Sequence, residues 1–165
     1  MMMATKVTMK PSSVSLANVG DEEALFELIR ASEEEWWLGK PDPDKVRGVI
    51  KSAFDDSVFP RPYFGVIKGP AMIEGAVGLF PTEAWNSSDL YIRAFFHFVR
   101  PRFRNSKHAV HLRDWAKWFG DEAGLPVLFE QPHMDKQRLK AEMLERGAEW
   151  IGGMFMYRGM VEAVA

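Results

Sequence analysis

Residues 95–123 read FFHFVRPRFRNSKHAVHLRDWAKWFGDEA, and the rest of the chain is organised around this stretch. Its first residues are aromatic and β-branched, which predicts a strand that ends at Pro101. A short polar loop follows, and a helix opens near His108. The predicted buried stripe of that helix is Ala109, Leu112, Ala116, Phe119 and Ala123. A strand that runs through a loop into a helix N-terminus directs several backbone N–H groups into one space, so the site favours an anion, above all a phosphate.

Composition limits the class of protein. The chain has 165 residues, 47% of them hydrophobic and 27% charged, which is typical of one globular domain. No apolar run is long enough for a membrane span, and the N-terminus has no signal-peptide core, so we expect a cytoplasmic protein without membrane contact. The absence of cysteine excludes disulfides, thiolate metal sites and a cysteine nucleophile.

Charge is distributed unevenly. Between Arg93 and Lys117 there are seven basic residues and one acid, Asp114, so this window carries +6 and the remainder of the chain −8. A local basic island on an acidic body fits an anionic cofactor better than a nucleic-acid footprint, which would normally make the whole domain basic.

Periodicity and turn residues predict the element order β-α-α-β-β-β-α-β-α-β-β, in a single domain over residues 1–165 with a loose tail at residues 1–10. Asp21 is expected to cap the first helix, and Asp42 with Pro43 to start the second. The predicted strands before the last helix are 13–17 (an edge strand), 63–68, 71–81, 90–100 and 127–130. The last helix is predicted over about 134–146, and the tail from Trp150 suggests a final pair of strands.

The segment from Val99 to Ala109 resembles the acyl-CoA motif of the GNAT N-acetyltransferases, which reads roughly V-x-P-x-[YF]-R-x-x-G-x-[GA]. Val99, Pro101, Phe103, Arg104 and Ala109 match, whereas Lys107 stands where the family has glycine. The predicted element order is also that of the GNAT fold, so the resemblance covers nearly the whole chain. A finer resemblance is to small phage and prophage members.

The resemblance implies an α/β fold in which a mixed, mostly antiparallel central sheet is flanked by helices. It also implies a bulge in strand 4 and a V-shaped cleft between the splayed strands 4 and 5. The backbone of His97, Phe98 and Val99 would then bind the pantetheine arm of acetyl-CoA. The pyrophosphate would lie on the N–H groups of Arg104, Asn105, Ser106, Lys107, His108 and Ala109. Because glycine normally allows close approach of backbone to phosphate, Lys107 implies either weaker binding or an ammonium that pairs with the phosphate instead.

The implied reaction is direct attack of a neutral amine on the thioester, helped by proximity, proton removal and oxyanion stabilisation. By position, the Val99 N–H could donate to the thioester oxygen. Glu130 and His97 are the candidate bases, and a water molecule could relay the proton.

The last helix departs from the family pattern N-x-x-A-x-x-x-Y-x-x-x-G-F. Counting back from Gly147, the catalytic tyrosine falls on Met143 and the asparagine on Lys136. Methionine offers no proton to the leaving thiolate and is expected to pack with Leu139, while Tyr157 is a substitute donor at best. Acetyl-CoA binding is therefore favoured over fast catalysis.

The connection between the first two helices lines the acceptor side of the cleft in this fold. There Glu34, Glu35, Trp36 and Trp37 would offer carboxylates and aromatic faces to a cationic amine. The alternative is a solvated acidic helix end with one tryptophan in the core. No metal site is expected, since His108 and His111 lack a carboxylate at ligand spacing.

The sequence thus predicts an N-acetyltransferase that moves an acetyl group from acetyl-CoA to a primary amine of a small molecule or a protein. One alternative is a catalytically weak or inactive module of the same fold that binds CoA or another protein. Another is a nucleic-acid-modifying acyltransferase that uses the row Arg100, Arg102 and Arg104. A homodimer through the terminal strands is compatible with the sequence.

Overall fold

A computed structural model of the chain describes residues 9–35, 40–130, 141 and 143–145. The contacts divide the chain into two compact units, Met1–Pro132 and His133–Ala165. In the second unit the described residues, 141 and 143–145, are helical, as predicted, and the predicted terminal strands lie outside the described residues. The single-domain assignment of residues 1–165 stays a prediction. The fold and the candidate site described below lie in the first unit. No described helix has the length and apolar character needed to cross a membrane.

The first unit contains a five-stranded sheet whose order follows the sequence. The elements are β1 (Ser15–Leu16), α1 (Glu22–Ala31), α2 (Pro43–Ala53), β2 (Tyr63–Lys68), β3 (Ile73–Glu83), β4 (Leu90–Val99), α3 (His108–Ala123) and β5 (Val127–Phe129). Neighbouring strands pair antiparallel from β1 to β4, whereas β4 and β5 pair parallel. This confirms the predicted mixed, mostly antiparallel sheet. The edge position of β1 is confirmed as well.

Helices cover both faces of this sheet. On one face α1 and α2 pack over a cluster that includes Phe64, Ala76 and Phe98. On the other face α3 packs over a second cluster that includes Val77 and Val99. Alternate residues of each strand therefore serve different layers, because successive side chains of a strand point to opposite faces.

The buried face of α3 differs in part from the predicted stripe. Leu112 and Ala116 are fully buried as predicted, but Ala123 is exposed. Trp115, which the predicted stripe did not include, is fully buried, and its ring lies against Gly65 of β2, where any side chain would collide with it. The periodicity missed this because an indole at the edge of an apolar stripe reaches the core only where the opposite strand has no side chain.

The helix starts were predicted with mixed success. Asp42 caps α2 as expected, since its carboxylate accepts hydrogen bonds from the N–H groups of Asp44 (2.9 Å) and Lys45 (3.3 Å). The prediction for Asp21 was wrong, because its side chain does not cap α1. Asn18 and Asp21 instead form a reciprocal capping box on the 3-10 turn Val19–Asp21 that precedes the helix.

Candidate functional site

β4 continues beyond the point where β5 stops pairing with it. The parallel ladder joins residues 92–94 of β4 to residues 127–129, and Glu130 makes the last backbone contact, an N–H to the Ala94 carbonyl at 3.4 Å. Directly after this point Phe95 is an extra residue in β4, since Gly78 pairs with Phe96 and Leu79 with Ala94. A bulge of this kind bends the strand. Within residues 9–35 and 40–130, the end of β4 after Ala94 therefore has a strand neighbour on its β3 side alone.

Hydrogen-bond alternation fixes where the free edge of β4 points. The N–H of Arg100 donates to the Glu74 carbonyl of β3 at 2.9 Å. Because successive residues of an antiparallel strand direct their backbone groups to opposite sides, those of Val99 and His97 point away from β3, to the β5 side. The Val99 carbonyl there accepts a hydrogen bond from Nε of Arg104 at 3.0 Å. The sheet edge thus offers backbone groups to an extended ligand at His97 and Val99, two of the three residues expected to bind the pantetheine arm, whereas the backbone groups of Phe98 point to β3.

The loop from β4 to α3 is tightly wound. It opens with the 3-10 turn Pro101–Phe103. Inside the loop the N–H of Arg104 donates to the Pro101 carbonyl, and that of Ser106 to the Phe103 carbonyl. The hydroxyl of Ser106 accepts from the N–H of His108 at 3.2 Å. Three of the six expected phosphate-binding N–H groups therefore have partners inside the loop.

The other three N–H groups expected to bind phosphate are not used inside the loop. In the described part of the chain, the N–H groups of Asn105, Lys107 and Ala109 have no hydrogen-bond acceptor. The first turn of α3 contains no acidic residue, and Lys107 stands at its N-cap without a side-chain cap. The first turn of α3 therefore has no carboxylate that would offset the positive end of the helix dipole.

Lys107 occupies its motif position without backbone strain. Its φ is −83° and its ψ is 9°, which any residue can adopt. The family glycine is therefore not required here for a left-handed conformation. The side chain of Lys107 is exposed, so the difference from glycine lies in the space that a phosphate would find above the backbone.

His108, the first residue of α3, is bound to a carboxylate. Its Nε2 lies 2.6 Å from Oε2 of Glu74, and its ring stacks on Phe103 with centroids 5.9 Å apart. Glu74 is the extra residue of a register shift in β3, since Lys68 pairs with Ile73 and Ile67 with Gly75. Glu74 was not predicted from the sequence, because no periodic pattern reveals a bulge that turns a side chain toward another element.

Arg104 links the loop to the connection that follows α1. Besides its bond to the Val99 carbonyl, its guanidinium pairs with Glu35 and lies over the ring of Phe98, 5.4 Å from its centroid. Glu35 belongs to the 3-10 turn Glu33–Glu35, and the neighbouring Glu34 is exposed. Glu35, one of the residues expected to bind the acceptor, thereby contacts the loop from β4 to α3. Trp36 and Trp37 lie outside the described residues.

His97 is held in a way that does not suit a general base. Its Nε2 donates to the carbonyl of Ala109 at 3.3 Å. Burial, together with the nearby positive charge of Arg113, lowers its pKa from 6.5 to about 4. At neutral pH the ring is uncharged and weakly basic, so its side chain joins β4 to the first turn of α3 instead.

Glu130 stands at the end of β5 next to the point of divergence. Its Oε1 lies 2.7 Å from Nε of Arg93 in β4. The hydrogen bond from Arg93 to this carboxylate raises the pKa of the guanidinium. The pair places an anionic carboxylate, partly accessible to water, beside the opening between the two strands.

The arginine row after β4 is not a uniform free cationic surface. Nε of Arg100 donates to the Ile73 carbonyl at 2.9 Å, and Arg104 is engaged as described above. Arg102 lies against Phe103 and Met72.

Among the residues that the structure describes, no group of three histidine, aspartate or glutamate side chains could hold a metal ion.

Solved structures share this architecture. The integron cassette protein HFX_CASS3, from the mobile metagenome of Cole Harbour Salt Marsh, superposes with a TM-score of 0.69 at 17% identity and covers 90% of each chain. AAC(6')-Iy, in complex with the bisubstrate analog CoA-S-monomethyl-acetylneamine, superposes with a TM-score of 0.68 at 17% identity over 88% of this chain and 96% of that one. The ribosomal-protein-alanine N-acetyltransferase from Brucella melitensis biovar Abortus 2308 gives 0.64 at 12% identity, over 88% and 99%. The fold is that of the GNAT acetyltransferases.

At these identities the likeness shows the GNAT fold alone. No protein-family model matches the chain, and no curated protein matches it. The shared fold confirms what the motif and the element order predicted about architecture. The cofactor and catalytic residues, and the finer resemblance to phage members, stay predictions.

Proposed function

We propose that this chain is an acyl-CoA-dependent N-acyltransferase that moves an acetyl group from acetyl-CoA to a primary amine. The observation that carries the proposal is the divergence of β4 from β5 after Ala94, with the free edge of β4 leading into an α3 N-terminus rich in unpaired N–H groups. One end of this arrangement suits an extended amide-containing arm and the other suits a phosphate.

The proposed cofactor contacts follow the chain from β4 into α3. The backbone of His97 and Val99 would bind the pantetheine arm, with Phe98 between them directing its own backbone groups to β3. The N–H groups of Asn105, Lys107 and Ala109 would hold the pyrophosphate directly. Those of Arg104, Ser106 and His108 have partners in the loop, so they would support the loop or exchange partners on binding.

The proposed chemistry needs no covalent enzyme intermediate. The amine lone pair attacks the thioester carbon, the carbon–sulfur bond breaks, and the thiolate leaves with the electron pair. The Val99 N–H is proposed to donate to the developing oxyanion. Glu130 is proposed to accept the amine proton through water, since its carboxylate lies beside the opening between β4 and β5 and is partly accessible. His97 contributes its backbone, because its ring is weakly basic.

The acceptor is proposed to enter beside the connection between α1 and α2, where Glu34, Glu35, Trp36 and Trp37 would meet a cationic amine. The solved neighbours carry both kinds of acceptor in their names, an acetylneamine analog and a ribosomal-protein alanine. A small-molecule amine is the acceptor proposed here, in keeping with the acetylneamine analog bound to AAC(6')-Iy.

A second candidate function is a CoA-binding module of the same fold without efficient turnover. Two residues favour it. Lys107 replaces the motif glycine, and Met143, which is helical and partly buried, provides no proton for the thiolate. The two candidates share the cofactor site, where Lys107 bears on phosphate binding, and they differ in turnover.

Thermal unfolding with and without saturating acetyl-CoA tests the cofactor site. At about 100 times its dissociation constant the ligand should stabilise the fold by ~2.7 kcal/mol, or roughly 5–10 °C for a domain of this size. The shift should be lost in Arg104→Glu, which places a carboxylate in the loop, and kept in Arg30→Glu, a matched charge reversal on α1. An unchanged melting temperature at millimolar acetyl-CoA and other acyl-CoAs would refute the proposal.

Turnover separates the two candidates. Release of CoA thiol in the presence of primary amines can be followed with a thiol reagent, and the chain contributes no background because it has no cysteine. A thermal shift with amine-dependent thiol release supports the enzyme. A thermal shift without thiol release, over aminoglycosides, polyamines and peptide N-termini, supports the binding module.

A further inference from the structure

The side chain of Arg104 makes three contacts, two with the end of β4 and one with the turn that follows α1. Its Nε donates to the Val99 carbonyl at the end of β4 at 3.0 Å. Its terminal nitrogen pairs with Glu35 in the 3-10 turn Glu33–Glu35. Its guanidinium carbon lies 5.4 Å from the centroid of the Phe98 ring. A single guanidinium thus bridges the proposed cofactor edge and the proposed acceptor turn.

The two hydrogen-bonded partners differ in how readily they can be exchanged. The bond to the Val99 carbonyl is made by Nε, close to the stem of the side chain, and anchors it to β4. The pair with Glu35 is made at the outer end, where the side chains are 44% and 39% exposed. Exposed pairs of this kind are weak, because water competes for both charges. The outer end of the guanidinium can therefore change partner while Nε keeps its place.

A phosphate at the α3 N-terminus would be the stronger partner. Guanidinium groups bind phosphate oxygens in a two-pronged geometry, and a pyrophosphate carries more charge than one carboxylate. The backbone N–H of Asn105, next to Arg104, belongs to the proposed pyrophosphate site. The phosphate and Glu35 would therefore compete for the same guanidinium.

We propose that Arg104 is a positioning residue that exchanges Glu35 for a cofactor phosphate, so that cofactor binding releases the Glu35 carboxylate for the cationic acceptor. The inference rests on the proposed function and adds a coupling between its two proposed subsites. Until the cofactor binds, Glu35 is neutralised by Arg104 and attracts an ammonium group weakly. Lysine at position 104 could not perform the exchange as well, since it lacks the fork that holds Val99 and a second partner together.

A double-mutant cycle with CoA as the probe tests the exchange, with dissociation constants measured by calorimetry. Glu35→Gln removes the competitor and should tighten CoA binding about 2–5-fold, the range expected from an exposed pair. Glu34→Gln is the matched control, because the same charge is lost from the adjacent exposed residue; it should change the affinity by less than about 1.5-fold. In an Arg104→Met background, Glu35→Gln should lose its effect.

The conservative variant Arg104→Lys provides a second measurement. It keeps the charge, so it should bind CoA more tightly than Arg104→Met, yet the Glu35→Gln effect should shrink below that of the wild type. Melting curves of all variants identify any that fail to fold, and Arg104→Lys takes the place of Arg104→Met if that variant does.

The outcomes distinguish the inference from the function on which it rests. Wild-type binding of CoA, with equal effects of Glu35→Gln and Glu34→Gln or an effect that survives Arg104→Met, overturns the exchange and leaves the proposed function standing. Failure of the wild type to bind CoA overturns both. Tightening by Glu35→Gln that depends on Arg104 establishes the exchange.

Discussion

The side chain of His97 lies partly buried between β4 and the first turn of α3. On a strand beside an expected cleft, a histidine is a natural candidate base. In the structure its ring donates to the Ala109 carbonyl and lies near Arg113, and its pKa falls to about 4. An imidazole of that kind is a neutral link between β4 and α3.

This environment predicts acid sensitivity of the fold. The pKa of His97 is lower in the folded chain than its ordinary value of 6.5, so the unfolded chain binds the proton more tightly. The contribution of neutral His97 to the free energy of unfolding is present above pH 6.5 and is lost as the pH falls toward 4. Between pH 7 and 5 the free energy of unfolding should drop by about 1–2 kcal/mol through this residue.

The measurement is denaturant unfolding at a series of pH values for the wild type and His97→Gln. Glutamine can still donate to the Ala109 carbonyl but does not titrate, so its stability should depend less on pH across this window. If the two proteins lose stability in parallel between pH 7 and 5, the histidine is not neutralised by burial.

At the scale of single elements, the packing of α3 on β2 depends on a large side chain of α3 that faces a glycine of β2. Trp115 is fully buried, and Gly65 leaves room for its ring. A methyl group at Gly65 would lie 2.6 Å from Cζ3 of Trp115, which is too close for any carbon contact. A larger residue at position 65 would therefore force the Trp115 ring to move.

Gly65→Ala should therefore destabilise the fold by about 1–3 kcal/mol, the usual cost of overfilling a packed core. Gly48→Ala is the matched control, because Gly48 is exposed in α2 with nothing near an added methyl group. That variant should be stabilised by about 0.5–1 kcal/mol, since alanine favours a helix over glycine. Equal effects in chemical denaturation would mean that α3 does not rest on β2 as described.

Elements were predicted best where a local rule decides them. Tyr63–Lys68 and His108–Ala123 have the predicted bounds, because turn residues and helix periodicity mark their ends. Contacts between residues far apart in the chain were not predicted. Trp115 is buried because of Gly65, Glu74 turns to His108 at a bulge, and Glu130 pairs with Arg93. Each depends on a partner more than thirty residues away, which one sequence does not reveal.

The candidate site divides in the same way. The motif from Val99 to Ala109 placed the strand end, the loop and the helix start correctly, since all three are local. It could not show which N–H groups the loop itself would use, nor that Arg104 would reach Glu35. Those contacts depend on how the loop winds and on how α1 lies against the sheet.

At the scale of the whole molecule, the sequence divides into a basic window and an acidic remainder. The window from Arg93 to Lys117 carries +6 and the rest of the chain −8. Such a field attracts an anionic ligand to one region and repels it elsewhere, and salt screens it over about 10 Å at 0.1 M ionic strength. The field should therefore affect CoA affinity from positions that cannot touch the ligand.

Lys117 and Lys51 allow this to be tested with one change of charge in two places. Both are exposed, Lys117 on α3 about two and a half turns from its N-terminus and Lys51 on α2 across the sheet. Lys117→Glu should weaken CoA binding by about 2-fold or more at 0.02 M salt, and Lys51→Glu clearly less, although the net charge changes equally. At 0.5 M salt the difference should vanish, because screening removes the long-range term and leaves the contacts. Equal weakening by both variants at low salt would show that net charge alone attracts the ligand, and a difference that persists at high salt would place Lys117 in direct contact with it.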